Sequence, residues 1–288
     1  MFYSPILFSQ IADLNVTQYH DCIIDMNHLN SKERVIVYCL HSMGYLKKLE
    51  PFLDKIRKPF VLISAMEDTQ LPLEINPDFM NKVINHPFFK HWFSINKTIP
   101  NNDQFTSIPY GLNYWTLSTQ PAFGENIQDY NQQNSVLTNI SIQSKPFVER
   151  IPKIYGNFHL HKTDERYGGW RTKLLAIIPQ DIIYYQPNGI PRSESYHHIS
   201  KYSFIVSPFG HGFDCIRTFE GLCLGCIVIM KTSFLDVIYE DLPVLIVNEW
   251  HDINEKLLQD TLTEFSTKTF NYEKMKMAYW IRLVNSKF

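Results

Sequence analysis

Residues 203–230 have the sequence SFIVSPFGHGFDCIRTFEGLCLGCIVIM. The apolar run at 202–206 predicts a buried strand, and the proline and glycines after it, including Gly210 and Gly212, indicate a loop before a helix. We expect Asp214 to cap that helix, whose unpaired N–H groups and positive dipole end suit a phosphate. The stretch therefore predicts an anion-binding loop between a strand and a helix.

The predicted helix has a basic and an acidic residue three positions apart. Arg217 and Glu220 can therefore face the same side of the helix. A guanidinium can bind phosphate oxygens through two parallel hydrogen bonds, and a carboxylate can accept hydrogen bonds from the two hydroxyls of a ribose. The third glycine of G-x-G-x-x-G is missing, and the chain has no G-x-x-x-x-G-K-[ST] motif. We therefore predict a nucleotide site that belongs to neither a dinucleotide enzyme nor a P-loop NTPase.

The composition bounds the class of protein. The 288 residues are 44% hydrophobic and 14% aromatic, which is enough for two cores, and the formal net charge is -2. Because nucleic-acid binders usually have a basic patch, we expect no nucleic-acid partner. The absence of a long apolar run and of a basic, apolar leader predicts no membrane span and no signal peptide, hence a cytoplasmic protein. The oligomeric state is not indicated.

Strand-like and helix-like segments alternate along the chain. Apolar runs at 35–40 and 60–64 flank an amphipathic segment at 45–56, and a second alternation begins at 154–158. Such alternation predicts an α/β fold with two Rossmann-like domains that face a central cleft. The polar segment 121–146 is expected to form a linker and surface loops.

The predicted domains follow from these two alternations. Residues 1–145 are expected to form an acceptor-side Rossmann-like domain, and residues 146–270 a nucleotide-binding one. Residues 271–288 are expected to form a helix that packs back on the first domain.

Three segments resemble one known family. They are Ser207-Pro-x-Gly-x-Gly-x-Asp-Cys-x-Arg-x-Phe-Glu220, Gly225-Cys-Ile-Val-Ile229 and Leu235-Asp-x-x-Tyr-x-Asp-Leu-Pro-Val244. Together they resemble the nucleotide-sugar-binding half of exostosin-like glycosyltransferases, including members encoded by large DNA viruses. The resemblance implies a GT-B fold, a UDP-sugar as the donor substrate, a glycan acceptor, inversion at the anomeric carbon and no metal or other cofactor. Xylose and galactose are the sugars that it suggests.

The resemblance also implies roles for individual residues. Arg217 would bind the diphosphate and Glu220 the ribose, while the loop at 210–212 would approach the phosphates. Apart from the resemblance, the negative charge that the leaving UDP gains favours a second cation, for which Arg166 and Arg171, at or within the helix after the strand at 154–158, are the candidates. The predicted residues that bind the sugar donor are Ser207, Gly210, His211, Gly212, Asp214, Arg217, Glu220, Arg166 and Arg171.

An inverting transfer also needs a base that takes the proton of the acceptor hydroxyl. Asp68 is our first choice, with Glu67 as the alternate, because both follow the strand at 60–64 and ligands bind beyond the carboxyl ends of parallel strands. His41 follows the strand at 35–40 in the same way and is a third candidate.

Other classes of site and of protein were weighed against this prediction. The spacings of His159, His161, His197 and His198 match no common metal-ligand pattern, so no metal site is predicted. One rival interpretation is a non-catalytic module of the same fold that binds a glycan or a nucleotide. Another is a Rossmann-type methyltransferase.

Overall fold

The computed structural model describes residues 1–17, 25–66, 68–160, 170–186 and 189–288. The chain forms two compact units. The first unit comprises Ser4–Tyr110 and Met277–Phe288, and the second unit comprises Met1–Tyr3 and Gly111–Lys276. Each unit contains a parallel five-stranded sheet with helices, so the predicted α/β class is confirmed.

The first unit is built on the strand order β1-β2-β3-β4-β5. Its elements are β1 (Leu14–Val16), α1 (Met26–Ser31), β2 (Val35–Leu40), α2 (Met43–Leu53), β3 (Phe60–Ala65), α3 (Pro77–Ile84), β4 (Phe89–Ser94) and β5 (Phe105–Ser107). Every residue of β2 and of β3 is buried. These strands are continuous apolar runs because a parallel strand is covered on both faces.

The second unit has the strand order β10-β9-β8-β6-β7. Its elements are α4 (Trp115–Thr119), α5 (Tyr130–Gln143), β6 (Ile151–Gly156), α6 (Trp170–Ile177), β7 (Ile183–Tyr185), α7 (Arg192–Ile199), β8 (Tyr202–Val206), α8 (Ile216–Cys223), β9 (Ile227–Lys231), α9 (Asp236–Tyr239), β10 (Val244–Val247) and α10 (Glu255–Thr267). The chain then returns to the first unit for α11 (Met277–Asn285).

The strand order of the second sheet reverses at one point. β6 pairs with β7 on one side and with β8 on the other, and all of these pairs are parallel. The chain therefore leaves β6 in one direction across the sheet and later continues from β8 in the opposite direction. In open parallel sheets, ligands bind at the carboxyl ends of the strands beside such a switch point. The fold alone thus predicts a ligand site at the carboxyl ends of β6 and β8.

Helix α8, which follows β8, lies very close to this sheet. A Cβ added at Gly221 would stand 2.4 Å from Cγ2 of Ile205 and 3.1 Å from Cγ2 of Val228. Both distances are shorter than ordinary carbon–carbon contacts, so a residue without a side chain is required here. The close approach places the helix directly beside the switch point.

The prediction of a linker at 121–146 is wrong, because this segment contains helix α5. Asp129 and Gln132 form a capping box at its start, in which each side chain accepts a hydrogen bond from the backbone of the other. Gln133, Leu137 and Ile140 form its buried face. The division between the two units lies at 110/111, whereas the predicted domain boundary was 145/146. The roles that we assigned to the two domains stay a prediction.

Candidate functional site

A cavity of about 420 Å³ lies in the second unit, beside the carboxyl end of β6 at the switch point. Asn157 and His159, just after β6, line it together with residues of α7 and α8. The remaining lining residues come from the turn at 123–124 and from the segment after β7. The lining residues are Phe123, Gly124, Asn157, His159, Gln186, Gly189, Ile190, Arg192, Ser195, Tyr196, Ile216, Arg217 and Glu220. We call this cavity the switch-point pocket.

Arg217 and Glu220 both line the switch-point pocket, so α8 presents a cation and a carboxylate on the same side. The Arg217 side chain is oriented by Asn157: Nε donates to Asn157 Oδ1 at 2.7 Å. Its guanidinium also lies over the ring of Phe158, with 5.6 Å between Cζ and the ring centroid. These contacts hold a nearly buried cation in one orientation at the wall of the pocket.

The Glu220 carboxylate is bound through one of its two oxygens. Oε1 accepts hydrogen bonds from the Tyr196 hydroxyl at 3.0 Å and from Arg192 Nε at 3.3 Å. Only 7% of Glu220 is exposed. The guanidinium of Arg192 supplies the opposite charge that a carboxylate needs when it is removed from water.

Arg192 is a pocket residue that the sequence analysis did not single out. Its Nη1 donates to the carbonyl oxygen of Asn113 at 3.1 Å and to Gln133 Oε1 at 3.2 Å, and its Nε donates to the Tyr196 hydroxyl at 2.5 Å. Burial lowers the pKa of its guanidinium, but the adjacent Tyr196 and Glu220 outweigh burial and raise that pKa above its ordinary value. Arg192 therefore stays charged although only 8% of it is exposed.

The third nitrogen of this guanidinium has a different environment. Among the described residues, Arg192 Nη2 is buried and donates no hydrogen bond. An unsatisfied buried donor costs about 1–3 kcal/mol of stability, and more when the group is charged. A buried donor of this kind in a native protein calls for a partner, and an ordered water or a bound ligand can supply it.

The walls of the pocket hold Arg192 between two rings. Its Cζ lies 5.2 Å from the ring centroid of Phe123 and 5.5 Å from that of Tyr196. Burial raises the pKa of the Tyr196 phenol well above its ordinary value, so this hydroxyl stays protonated and can donate. Arg192 and Tyr196 are four residues apart, a spacing that brings side chains together on a helix, and this was the signal in the sequence that could have indicated their contact.

No residue of the glycine loop at 207–214 lines the switch-point pocket. Ser207 is buried between β8 and α8, where its hydroxyl contacts Thr218 Oγ1 at 2.9 Å and Cys215 Sγ at 3.0 Å. His211 is exposed and Gly212 is buried, and neither lines the pocket. The structure thus brings Arg217 and Glu220 together in the pocket and leaves these three residues outside it.

The expectation that Asp214 caps α8 is wrong. The cap position is Cys215, and no side chain caps the helix there. Asp214 Oδ1 accepts from the Cys215 N–H at 2.7 Å, and its other oxygen accepts from the Tyr239 hydroxyl. Asp214 is therefore buried in contact with α9 rather than at the pocket wall.

Arg171 contacts the glycine loop from the side of α6. Its Nε donates to the carbonyl oxygen of Phe209 at 3.0 Å, and its Nη1 donates to that of His159 at 3.3 Å. A Cβ added at Gly210 would meet Arg171 Nη2 at 2.9 Å, so a glycine lets the guanidinium approach the loop. Arg171 therefore lies beside the loop and one pocket residue, while Arg166 lies outside the described residues.

Two of the candidate bases, His41 and Asp68, belong to the first unit. His41 is fully buried, and its Nδ1 lies 2.7 Å from the Ser64 hydroxyl. Burial lowers the pKa of His41 to about 4, so its ring is neutral near pH 7. Asp68 is half-buried in the loop after β3, and Glu67 lies outside the described residues.

Within the described ranges, no group of three or more His, Cys, Asp or Glu side chains is arranged to hold a metal ion. Whether the reaction uses a metal stays a prediction. No helix in the described part of the chain has the length and apolar character that a membrane span needs.

Comparison with known proteins leaves the family open. No protein-family model matches the chain, and no curated protein matches it. One similar solved structure is that of an alpha,alpha-trehalose-phosphate synthase (UDP-forming) from Burkholderia vietnamiensis, at 7% identity and a TM-score of 0.37, covering 91% of this chain and 73% of that one. Because this similarity is low, the fold assignment rests on the two sheets described above.

Proposed function

We propose that this protein is a GT-B glycosyltransferase of the exostosin-like kind that moves one sugar from a UDP-sugar to a hydroxyl of a glycan. One observation supports the proposal above all others. Arg217 and Glu220 line a single pocket at the switch point of a parallel sheet. A cation and a carboxylate at this position match the diphosphate and the ribose of a nucleotide.

In the proposed reaction, the acceptor oxygen bonds to the anomeric carbon while the bond from that carbon to the UDP oxygen breaks. The leaving UDP gains negative charge, which a fixed cation stabilises more in the transition state than in the ground state. Arg217 suits this role because Asn157 and Phe158 already hold its guanidinium in place. We propose inversion without a metal, and xylose or galactose as the sugar.

The proposed base is Asp68, which would take the proton of the acceptor hydroxyl. Of the three candidates, Asp68 is described and partly accessible, whereas His41 is fully buried. Asp68→Asn should lower the rate of transfer about 10²- to 10⁴-fold. The variant should bind UDP with the affinity of the wild type. A loss of UDP affinity would contradict the role of Asp68 as the base.

The test of the function is a binding and transfer screen with purified protein. UDP should bind and raise the thermal unfolding temperature, whereas S-adenosylmethionine should not. Arg217→Gln and Glu220→Gln should each lower UDP affinity at least tenfold. Lys201→Gln is the matched control, because Lys201 is exposed and lies beside the amino ends of the strands, outside the pocket.

The outcomes separate the rival functions. Transfer from one UDP-sugar supports the proposal, and UDP binding without transfer or hydrolysis of any donor would indicate a non-catalytic module. Stabilisation by S-adenosylmethionine alone would indicate a methyltransferase and overturn the proposal. Unchanged UDP affinity in both pocket variants would remove the switch-point pocket from the binding site.

A further inference from the structure

The two oxygens of Glu220 have different surroundings in the switch-point pocket. Oε1 accepts from both Arg192 and Tyr196, whereas no hydrogen bond to Oε2 is present among the described residues. Oε2 is also absent from the buried polar atoms that have no partner, so water or a ligand can reach it. One oxygen is therefore held by the protein and the other is available to a ligand.

The group that holds Oε1 is itself fixed from several sides. Arg192 Nη1 is bound to Asn113 and Gln133, and its backbone N–H donates to the carbonyl oxygen of Phe123 at 2.9 Å. These partners come from before α4, from α5 and from the turn at 123–124. A guanidinium bound in this way cannot follow a moving carboxylate, so the carboxylate must adopt the orientation that the guanidinium sets.

Tyr196 connects the same two charges. Its hydroxyl accepts from Arg192 Nε at 2.5 Å and donates to Glu220 Oε1 at 3.0 Å. A hydroxyl that accepts on one side and donates on the other transmits the position of the guanidinium to the carboxylate. Removing this hydroxyl should loosen Glu220 without removing either charge.

We propose that Arg192, with Tyr196, is the positioning residue of Glu220, and that it orients Oε2 toward the vicinal hydroxyls of a bound ribose so that the pocket selects ribonucleotides over 2′-deoxyribonucleotides. The proposal rests on the proposed function, because it assumes that a nucleotide occupies the switch-point pocket. It adds the residue on which recognition of the ribose depends and the class of nucleotide that is rejected.

A purely structural role of Arg192 makes a different prediction. If the ion pair only stabilised α7 and α8, its loss would weaken the binding of every nucleotide by the same factor. If Arg192 orients Oε2 toward both hydroxyls, its loss weakens a ligand that carries the 2′-hydroxyl more than one that lacks it. The ratio of two affinities therefore separates positioning from stability, even in a variant that is less stable.

The experiment measures UDP and 2′-deoxy-UDP binding by calorimetry. The wild type should bind UDP about 10- to 100-fold more tightly than 2′-deoxy-UDP, as expected for a hydrogen bond to a charged group. Arg192→Gln should lose at least tenfold in UDP affinity and keep its affinity for 2′-deoxy-UDP within about threefold. The preference should then nearly vanish.

Two further variants protect the test against misfolding. Tyr196→Phe removes one hydroxyl only and should lower the preference for UDP about threefold to tenfold. Glu194→Gln, at an exposed position of the same helix, should keep the wild-type preference. Thermal unfolding of each variant before titration identifies the folded ones.

The outcomes also separate this inference from the proposed function. If the wild type binds neither nucleotide, both fail. If it binds both nucleotides equally and Arg217→Gln loses both, the proposed function stands and the inference is overturned. An unchanged preference in folded Arg192→Gln and Tyr196→Phe would also overturn it.

Discussion

The two sheets of this chain are both parallel and five-stranded, but their strand orders differ. In the first unit the order follows the chain without a reversal among the described strands, while in the second it reverses at β6. The switch-point pocket lies at that reversal. In this chain, the strand order therefore indicates the position of the pocket better than the number or direction of the strands does.

Both units also bury a polar cluster, and the two clusters have different chemistry. In the first unit, the Ser64 hydroxyl lies 2.7 Å from His41 Nδ1 and accepts from Trp92 Nε1 at 2.7 Å, so the cluster is neutral and closed. In the second unit, Arg192 and Glu220 are charged and line a pocket. A satisfied neutral cluster stabilises a fold, whereas a buried charge beside a cavity indicates a ligand.

The largest effect should follow from removing one charge of the pair in the second unit. Glu220→Leu leaves the Arg192 guanidinium buried without its counterion, which should cost about 3–5 kcal/mol of unfolding free energy. Adding Arg192→Met should recover about half of this loss, because no isolated charge then remains buried. Chemical denaturation of the single and double variants measures both values. A double variant less stable than Glu220→Leu would contradict this view of the pair.

The neutral cluster of the first unit should make the unfolding free energy depend on pH. Burial lowers the pKa of His41 from 6.5 to about 4, so the unfolded chain binds the proton more readily than the folded one. The contribution of the neutral His41 ring to the unfolding free energy is complete above pH 6.5. About 3 kcal/mol of it is lost as the pH falls toward 4. Burial also lowers the pKa of His91 to about 4, which adds to the slope.

Urea denaturation at several pH values between 7 and 4 measures this loss, and the ¹³C shift of the His41 imidazole reports its protonation directly. A ring that protonates near 6.5 in the folded protein, or a stability that does not change across this range, would contradict a closed cluster.

A smaller effect is expected where α8 approaches the second sheet. Gly221→Ala places a Cβ within 2.4 Å of Ile205 and should cost about 1–3 kcal/mol through overpacking. It should also lower UDP affinity, because the helix that presents Arg217 and Glu220 must move. Denaturation and calorimetry of the same variant test both effects. Unchanged stability would show that the helix can shift without strain.

The smallest effect is the matched change in the first unit, and it has the opposite sign. A Cβ added at Gly44, in α2, would meet no atom within 4 Å other than those of its chain neighbours and of its own helix backbone. Gly44→Ala should therefore stabilise the protein by about 0.5–1 kcal/mol, because alanine loses less backbone entropy in a helix. A destabilised Gly44→Ala would mean that the contrast with Gly221 does not arise from packing.

Much of the fold could be predicted from the sequence where burial alone decides the structure. The strands at 35–40 and 202–206 have the predicted bounds, because buried parallel strands are uninterrupted apolar runs. Helix α5 was missed because most of its residues are polar. Its capping box and the buried positions of Leu137 and Ile140 were the available signals.

The site was less predictable, because its contacts join distant parts of the chain. Arg217 and Glu220 could be placed on one helix by their spacing. The hydrogen bonds of Arg192 to Asn113 and Gln133 span 79 and 59 residues, and no local period encodes such contacts. Asp214 has the residue type of a helix cap, but its hydrogen bond with Tyr239, 25 residues away, places it elsewhere.

Helix α7 begins without a cap of its own, and this has a consequence for the dynamics of the pocket. Its first two N–H groups, of Arg192 and Ser193, donate to the carbonyl oxygen of Phe123 and to the Glu125 carboxylate, at 2.9 and 2.5 Å. The start of the helix is thus stabilised by a turn 68 residues earlier. If that turn opens, these two amides should exchange with deuterium together with it, and a bound nucleotide should slow their exchange in common.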